Sequence, residues 1–304
     1  MRKTIVGICV ALGLAGASTA QTYSEMSAAR DALVAGDHAA ALAVIRPAAE
    51  AGHARAQNLL GAAYEHGMGV APDGAAALAL YEASAAQGYP PAHFNLGVLF
   101  GRGADGLEAD LARARLSFEA AAALDYAPAM AALGTMIFSY GAETEYPEAI
   151  DYLKRAVELG DPGAHEWLAH VYYSGLGVAE DRAEARRLYE VAALMGGASA
   201  QVSAAIMMAD GEGGSVDPAR AADFLDRAVA QRHPRGLAER GLFELDHPEL
   251  GASRLAAYAD CLAGHRLMGA AGTTCQERGQ LSPEELENGA AMADKIVAAW
   301  SDSD

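Results

Sequence analysis

The chain has 304 residues, 52% of them hydrophobic but only 7% aromatic, and its 40 acidic residues against 22 basic ones give a net charge of -18. Such an excess of negative charge argues against nucleic acid and anionic lipid as partners, since both would repel it. Abundant small residues with few aromatics suit closely packed helices better than a large aromatic core.

In chain order, residues 1–20 read as an export signal. Arg2 and Lys3 supply the positive start, Ile5 to Ala17 the apolar stretch and Ser18-Thr19-Ala20 a small-residue cleavage site, so the mature chain is expected to begin at Gln21 in the periplasm. The apolar run of roughly 13 residues falls short of the roughly 20 that cross a bilayer. Cys9 follows the bulky Ile8, where a lipoprotein signal requires a small residue. Loss of Arg2 and Lys3 with the signal takes the charge from -18 to -20. No later window is long and apolar enough to span, so no membrane insertion is expected after cleavage.

Residues 21–52 read as an N-terminal capping helix pair. Ala29, Leu33 and Gly36-Asp37 end one helix, and Ala41, Leu42, Ile45 and Ala49 mark the next. From 53 to 235 the text repeats itself. ARAQNLLGAAYEHGMGV from Ala54 returns as PAHFNLGVLFGRG from Pro91 and GAHEWLAHVYYSGLGV from Gly163. The small anchor residue recurs at Gly61, Gly97, Gly134, Ala169, Ala205 and Gly241, in steps of 36, 37, 35, 36 and 36. A unit this short cannot bury its apolar face alone, so neighbours must stack into one elongated core.

Within a unit, Ala56, Leu60, Gly61 and Tyr64 recur as Ala92, Leu96, Gly97 and Phe100, tracing one face of a first helix. The small positions admit a neighbouring helix, which predicts close contacts at Gly97 and Gly134. Gly67-Met68-Gly69, Gly175-Leu176-Gly177 and Gly211-Glu212-Gly213 read as helix stops, because glycine takes the left-handed backbone and no Lys-Ser or Lys-Thr follows to make a phosphate cradle. A second helix carries Tyr81, Phe118, Tyr152, Tyr189 and Phe224, expected in the core. The fold class is therefore all-α, an α-solenoid of stacked antiparallel helix pairs.

Residues 236–304 hold a degenerate repeat that fades after Gly241, then a C-terminal capping helix. Ser282-Pro283-Glu284-Glu285 is a strong helix start, and Leu286, Gly289, Ala290, Ala293, Val297 and Trp300 fall on one face. The tail Asp302-Ser303-Asp304 should fray. Cys261 and Cys275, the pair left after signal removal, are expected to form one disulfide in an exported protein. A closed loop of about 15 residues would contribute roughly 3 kcal/mol in the chain-entropy model. The rival readings, a redox pair or metal ligands, lack the two-residue spacing usual for such sites.

The patterns L-G-x-x-Y, G-x-G-V and A-x-x-x-Y-x-x-A-A resemble those of Sel1-like repeats, a tetratricopeptide-related family of helix pairs, over five units spanning 53–235. The tract L-S-P-E-E-L with a late Trp is similar to the closing helix of bacterial Sel1-type proteins. The resemblance implies a scaffold for protein or peptide partners and implies no reaction. Exported Sel1-type regulators that restrain a membrane sensor kinase are similar in size and layout. The alternative is a cell-wall binding protein or hydrolase, peptidoglycan- or beta-lactam-directed, of the cysteine-rich Sel1 type. Those carry a disulfide in nearly every repeat, whereas residues 53–235 here contain no cysteine.

No catalytic residue, metal site or cofactor is expected. His165 and His170 lie five apart, leaving their imidazoles roughly 140° apart around a helix, where a zinc-protease helix needs a spacing of four. His165 is expected instead as a hydrogen-bonded interior group. Asp105, Glu108 and Asp110 lack calcium-loop spacing and are expected in a solvated loop. Beside the packing stripe, the first helices carry Leu59, Ala63 and His66, then Asn95, Leu99 and Arg102, then Trp167, Val171 and Ser174. In related solenoids that face lines the concave groove. His66, Asn95, Arg102, Trp167 and His170 are therefore the candidate partner-binding residues, with Trp167 as an apolar anchor and Arg102 for a carboxylate. The expected partner is a protein or peptide, such as a membrane sensor or another envelope protein.

Overall fold

The computed structural model describes residues 24–104, 106–248 and 252–301. The export segment, the start at Gln21, Asp105 and the tail 302–304 lie outside them. The described residues form sixteen α-helices and one short 3-10 helix, with no β-strand among them. They are the stacked helix pairs of an α-solenoid. The chain divides into two compact units, up to Met136 and from Ile137.

The first unit holds α1 (24–34), α2 (His38–Glu50), α3 (Ala54–His66), α4 (Gly74–Ala85), α5 (Pro90–Arg102), α6 (Leu111–Ala122) and most of α7 (Ala127–Tyr140). Each helix from α2 to α5 packs on the next. α1 and α2 cover α3: Met26, Ala29, Leu33, Leu42 and Ile45 form one buried cluster with Leu59 and Leu60. Glycine allows the closest approaches. A Cβ on Gly61 would lie 2.8 Å from the Tyr81 ring, and one on Gly97 would lie 2.5 Å from the Phe118 ring. Tyr81 is fully buried and Phe118 nearly so, each burial contributing on the order of 1.5–3 kcal/mol. Gly134 is buried as well.

The second unit continues from the end of α7 through a short 3-10 turn (Glu143–Glu145) into α8 (Tyr146–Glu158), α9 (Pro162–Ser174), α10 (Arg182–Leu194), α11 (Ala198–Asp210), α12 (Pro218–Ala230), α13 (Pro234–Asp246), α14 (Arg254–Leu267), α15 (Thr273–Gly279) and α16 (Pro283–Ser301). The repeat fades in sequence after Gly241, yet α13 and α14 form the most intimate pair of all. A Cβ on Gly241 would strike the backbone of Ala257 and Cys261, and one on Gly264 the backbone of Pro234 and Ala238. The two helices thus cross main chain against main chain. α16 closes the unit, as expected. Ser282 Oγ accepts from the Glu285 N–H while Glu285 accepts from the Ser282 N–H at 2.8 Å, a reciprocal cap. Leu286, Ala290, Val297 and Trp300 then pack on a cluster built from Tyr258, Leu262 and Ala293.

The helix ends follow a shared plan. Asp37, Asp73, Asp110, Asp161, Asp181 and Asp217 each cap a helix, accepting from the backbone N–H three residues on. Asp110 is thus a cap, not part of a merely solvated acidic loop. Gly67, Gly175 and Gly211 end α3, α9 and α11 with positive φ, the helix stop that their pattern predicts. The second glycine of each turn serves packing between successive repeats: Gly69 lies against His38, Gly177 against Tyr146 and Gly213 against the Arg182 backbone, each at the start of an earlier helix.

Candidate functional site

In the first unit, three of the candidate binding residues converge on interior acceptors. Asn95 Nδ2 donates to Asn58 Oδ1 at 2.9 Å, and Asn58 is buried. Arg102 donates to the Glu65 carboxylate, which also accepts from the Tyr81 hydroxyl at 2.5 Å. His66 Nε2 stands 3.9 Å from the same carboxylate. The Glu65 side chain is only 3% exposed, while those of Arg102 and His66 are 49% and 44% exposed, so the Arg102 guanidinium and the His66 imidazole form the solvent side of an interior knot. Burial first, and then the bond to Glu65, hold the Tyr81 hydroxyl proton well above the usual phenol range.

Asn58 and Glu65 were not singled out in the sequence. The signal for them is a separation of 37 for both Asn58–Asn95 and Glu65–Arg102, one residue longer than the step from Gly61 to Gly97. Ties between successive first helices run diagonally, so aligning equal repeat positions hides them. Part of the expected groove face is also core. Leu59, Ala63, Leu99 and Val171 are buried, because a helix flanked on both sides uses more than one stripe for packing.

In the second unit, Trp167 is half-buried on α9 and meets His170 edge-on, with ring centroids 5.9 Å apart. Both border a concavity made of two adjoining hollows of about 250 and about 300 Å³. His170, Tyr189, Ser203 and Arg235, from α9, α10, α11 and α13, line both. The larger hollow adds Glu166 and Trp167, and the smaller adds the apolar Ile206 and Met207. Burial raises the Glu166 carboxyl above its ordinary value. Burial and then the Glu166 charge push the Tyr189 hydroxyl up to about 12. Arg235 Nε stands 3.5 Å from Glu239, a loose pairing. The concavity therefore offers an indole, a guanidinium, a carboxyl and hydroxyls around an apolar floor, the mixture that orients a side chain. A further hollow of about 180 Å³ has Arg278 paired with Asp246 at its wall, beside Asp210 and Glu239.

His165 and His170 do not converge. His165 is buried, with Nδ1 2.8 Å from the Asp161 carbonyl, while His170 is exposed. Gln201, its counterpart in the next repeat, is buried too and donates to the Ala193 carbonyl at 3.2 Å. Cys261 and Cys275 are joined as a disulfide with Cα atoms 5.9 Å apart. Among the described residues, no helix is long and apolar enough to cross a membrane.

The Sel1 repeat family model matches five consecutive stretches, 54–89, 90–126, 127–161, 162–197 and 198–233. Among solved structures, a Sel1 repeat protein from Oxalobacter formigenes superposes with a TM-score of 0.63 at 23% identity, over 85% of this chain and 98% of that one. The protective antigen c5321 of uropathogenic Escherichia coli, which displays an SLR fold, gives a TM-score of 0.65 at 22% identity, over 92% of this chain and 63% of that one. At these identities the likeness concerns the fold. No curated protein matches the sequence.

Proposed function

The chain belongs to the Sel1 repeat family, whose members are generally non-catalytic scaffolds for protein–protein interaction, and from that premise we propose that it is a periplasmic adaptor or regulator that holds a segment of another envelope protein. The observation that carries the reading is the concavity in the second unit. Glu166 lines it beside Trp167 and Arg235, and its carboxyl, raised by burial, adds a polar group of the kind that binding sites carry. Trp167 supplies the apolar anchor, Arg235 and His170 face acidic or carbonyl groups of the partner, and Ile206 and Met207 floor the hollow. In the first unit, His66, Asn95 and Arg102 are proposed as a separate set of contacts. Arg102 and Asn95 act there with one hydrogen bond each already committed inward. A sensor protein is the partner class favoured by the resemblance of size and layout to exported Sel1-type regulators.

The test uses the immobilised mature protein to select peptides from a random display library, followed by affinity measurement with the parent and with Trp167→Ala. Loss of a central aromatic anchor is expected to cost about 2 kcal/mol, or about 30-fold in affinity, at unchanged helicity and melting. Selected peptides that bind both proteins equally would move the site away from α9. The periplasmic assignment is tested separately by cell fractionation and intact mass. Recovery of full-length protein with residues 1–20 attached in the cytoplasmic fraction would overturn it.

A further inference from the structure

Beside the disulfide lies a third metal-ligating atom that the adaptor reading leaves unused. His265 Nδ1 stands 3.8 Å from Cys261 Sγ and 3.5 Å from Cys275 Sγ, and both cysteines are completely buried while His265 is half-buried. We propose that the reduced pair Cys261 and Cys275, together with His265, binds one thiolate-preferring d10 cation, zinc(II) or copper(I), and that the disulfide is the closed form of this site.

The distances carry the argument. Metal–sulfur bonds of about 2.3 Å and metal–nitrogen bonds of about 2.0 Å at tetrahedral angles place sulfur and nitrogen ligands roughly 3.5 Å apart, and two sulfurs slightly farther. Two of the three edges of the ligand triangle therefore already have ligating length. Only the sulfur–sulfur edge must open, and breaking the bond forces the sulfurs apart to non-bonded separation in any case.

The frame suits that movement. Cys261 and His265 are one helical turn apart on α14, whose backbone is fixed against α13 at Gly241 and Gly264. Helical spacing thus does what a two-residue loop spacing does in other metal sites. Cys275 comes from the seven-residue α15, which packs on α13 and α14 and can carry the small displacement. Gly272 closes over the group: a Cβ there would lie 3.5 Å from both Cys275 Sγ and His265 Cβ. Leu237 and Leu262, in the same buried cluster, keep water from competing for the thiolates, and the exposed edge of His265 gives the ion a way in.

Opening the site takes two electrons and two protons. An external dithiol supplies both by exchange and leaves as a disulfide, so that cystine plus dithiol becomes two thiols plus oxidised reductant. Metal binding then releases the two thiol protons as the cation takes two thiolates. In the disulfide form His265 Nδ1 lies 2.9 Å from the Cys261 carbonyl and donates its proton there. To ligate, the ring must move that proton to Nε2, exchanging a hydrogen bond for a metal bond.

The experiment titrates zinc(II), and separately copper(I) against a chromophoric copper(I) chelator, into oxidised and anaerobically reduced protein, with cobalt(II) absorption reporting thiolate ligation. One equivalent is expected to bind the reduced form with a cobalt–thiolate charge-transfer band, and the oxidised form at least about 100-fold more weakly. His265→Ala, which keeps both cysteines, should lose at least about tenfold in affinity while its oxidised form melts near the parent. Helicity is followed throughout, so that a reduced chain that loosens and is restored by the metal counts in favour. Equal weak binding by reduced and oxidised protein, or unchanged affinity in His265→Ala, overturns the proposal, as does a loosened reduced chain that no metal restores.

Discussion

Glu65 shows how a single side chain can hold the interior of the first unit to its surface. Its buried carboxylate takes one bond from Tyr81 and one from Arg102, so removing either donor leaves a charge short of partners. Tyr81→Phe, which keeps the ring against Gly61, is expected to cost about 1.5–3 kcal/mol in denaturant unfolding, the range for hydrogen bonds to charged groups. A smaller loss would mean that water replaces the phenol. Glu166 presents the opposite case. Its folded-state pKa is raised by burial, so folding is penalised while both states are ionised, and the penalty is relieved as pH falls through the raised value. Glu166→Gln should therefore melt higher than the parent at about pH 7, with the gap closing toward about pH 4. A gap that stayed constant with pH would assign the change to packing.

At the scale of elements, the glycines divide into two kinds. At Gly97 the obstacle to a Cβ is the ring of Phe118, which can yield; at Gly264 it is the backbone of α13, which cannot without parting the helices. Alanine gains about 1 kcal/mol of helix propensity over glycine, against roughly 1–3 kcal/mol for overpacking. Gly97→Ala should thus be mildly destabilising and Gly264→Ala clearly more so, by chemical denaturation of the oxidised protein. The reverse order would show that α13 and α14 separate easily. The repeat in the sequence made the first kind legible, because Gly61, Gly97 and the paired glycines of the turns return at fixed steps. The diagonal ties of Glu65 and Asn58 were hidden by a one-residue offset from that step, whereas the capping aspartates keep it, Asp37 to Asp73 and Asp181 to Asp217 each standing 36 apart. The α13–α14 crossing was hidden for another reason: Gly241 keeps its repeat position but packs against backbone, so no partner side chain marks it. His265 likewise escaped notice, since one helical turn from Cys261 matches no loop-type ligand spacing.

For the whole molecule, a stack of helix pairs makes stability a sum of local terms, each unit depending on its neighbours. Amide hydrogen exchange on Gly97→Ala is expected to quicken in α4 to α6 and to leave α13 to α16 at parent rates. Faster exchange across every helix would show a single cooperative body instead. The fold class was legible because stacking is written into composition and period; the binding surface was less so, since Leu59, Ala63, Leu99 and Val171, on the expected groove face, become core once the flanking helices are in place. Under tension, such a stack should give way like a column of separate rungs, yielding where joints rest on side chains such as Phe118. The joint at Gly241 and Gly264 resists differently. Its two main chains interlock, and the Cys261–Cys275 bond shortens the length that a pull could release, so the last rungs should hold to the highest force in an oxidised chain and lose that advantage once reduced.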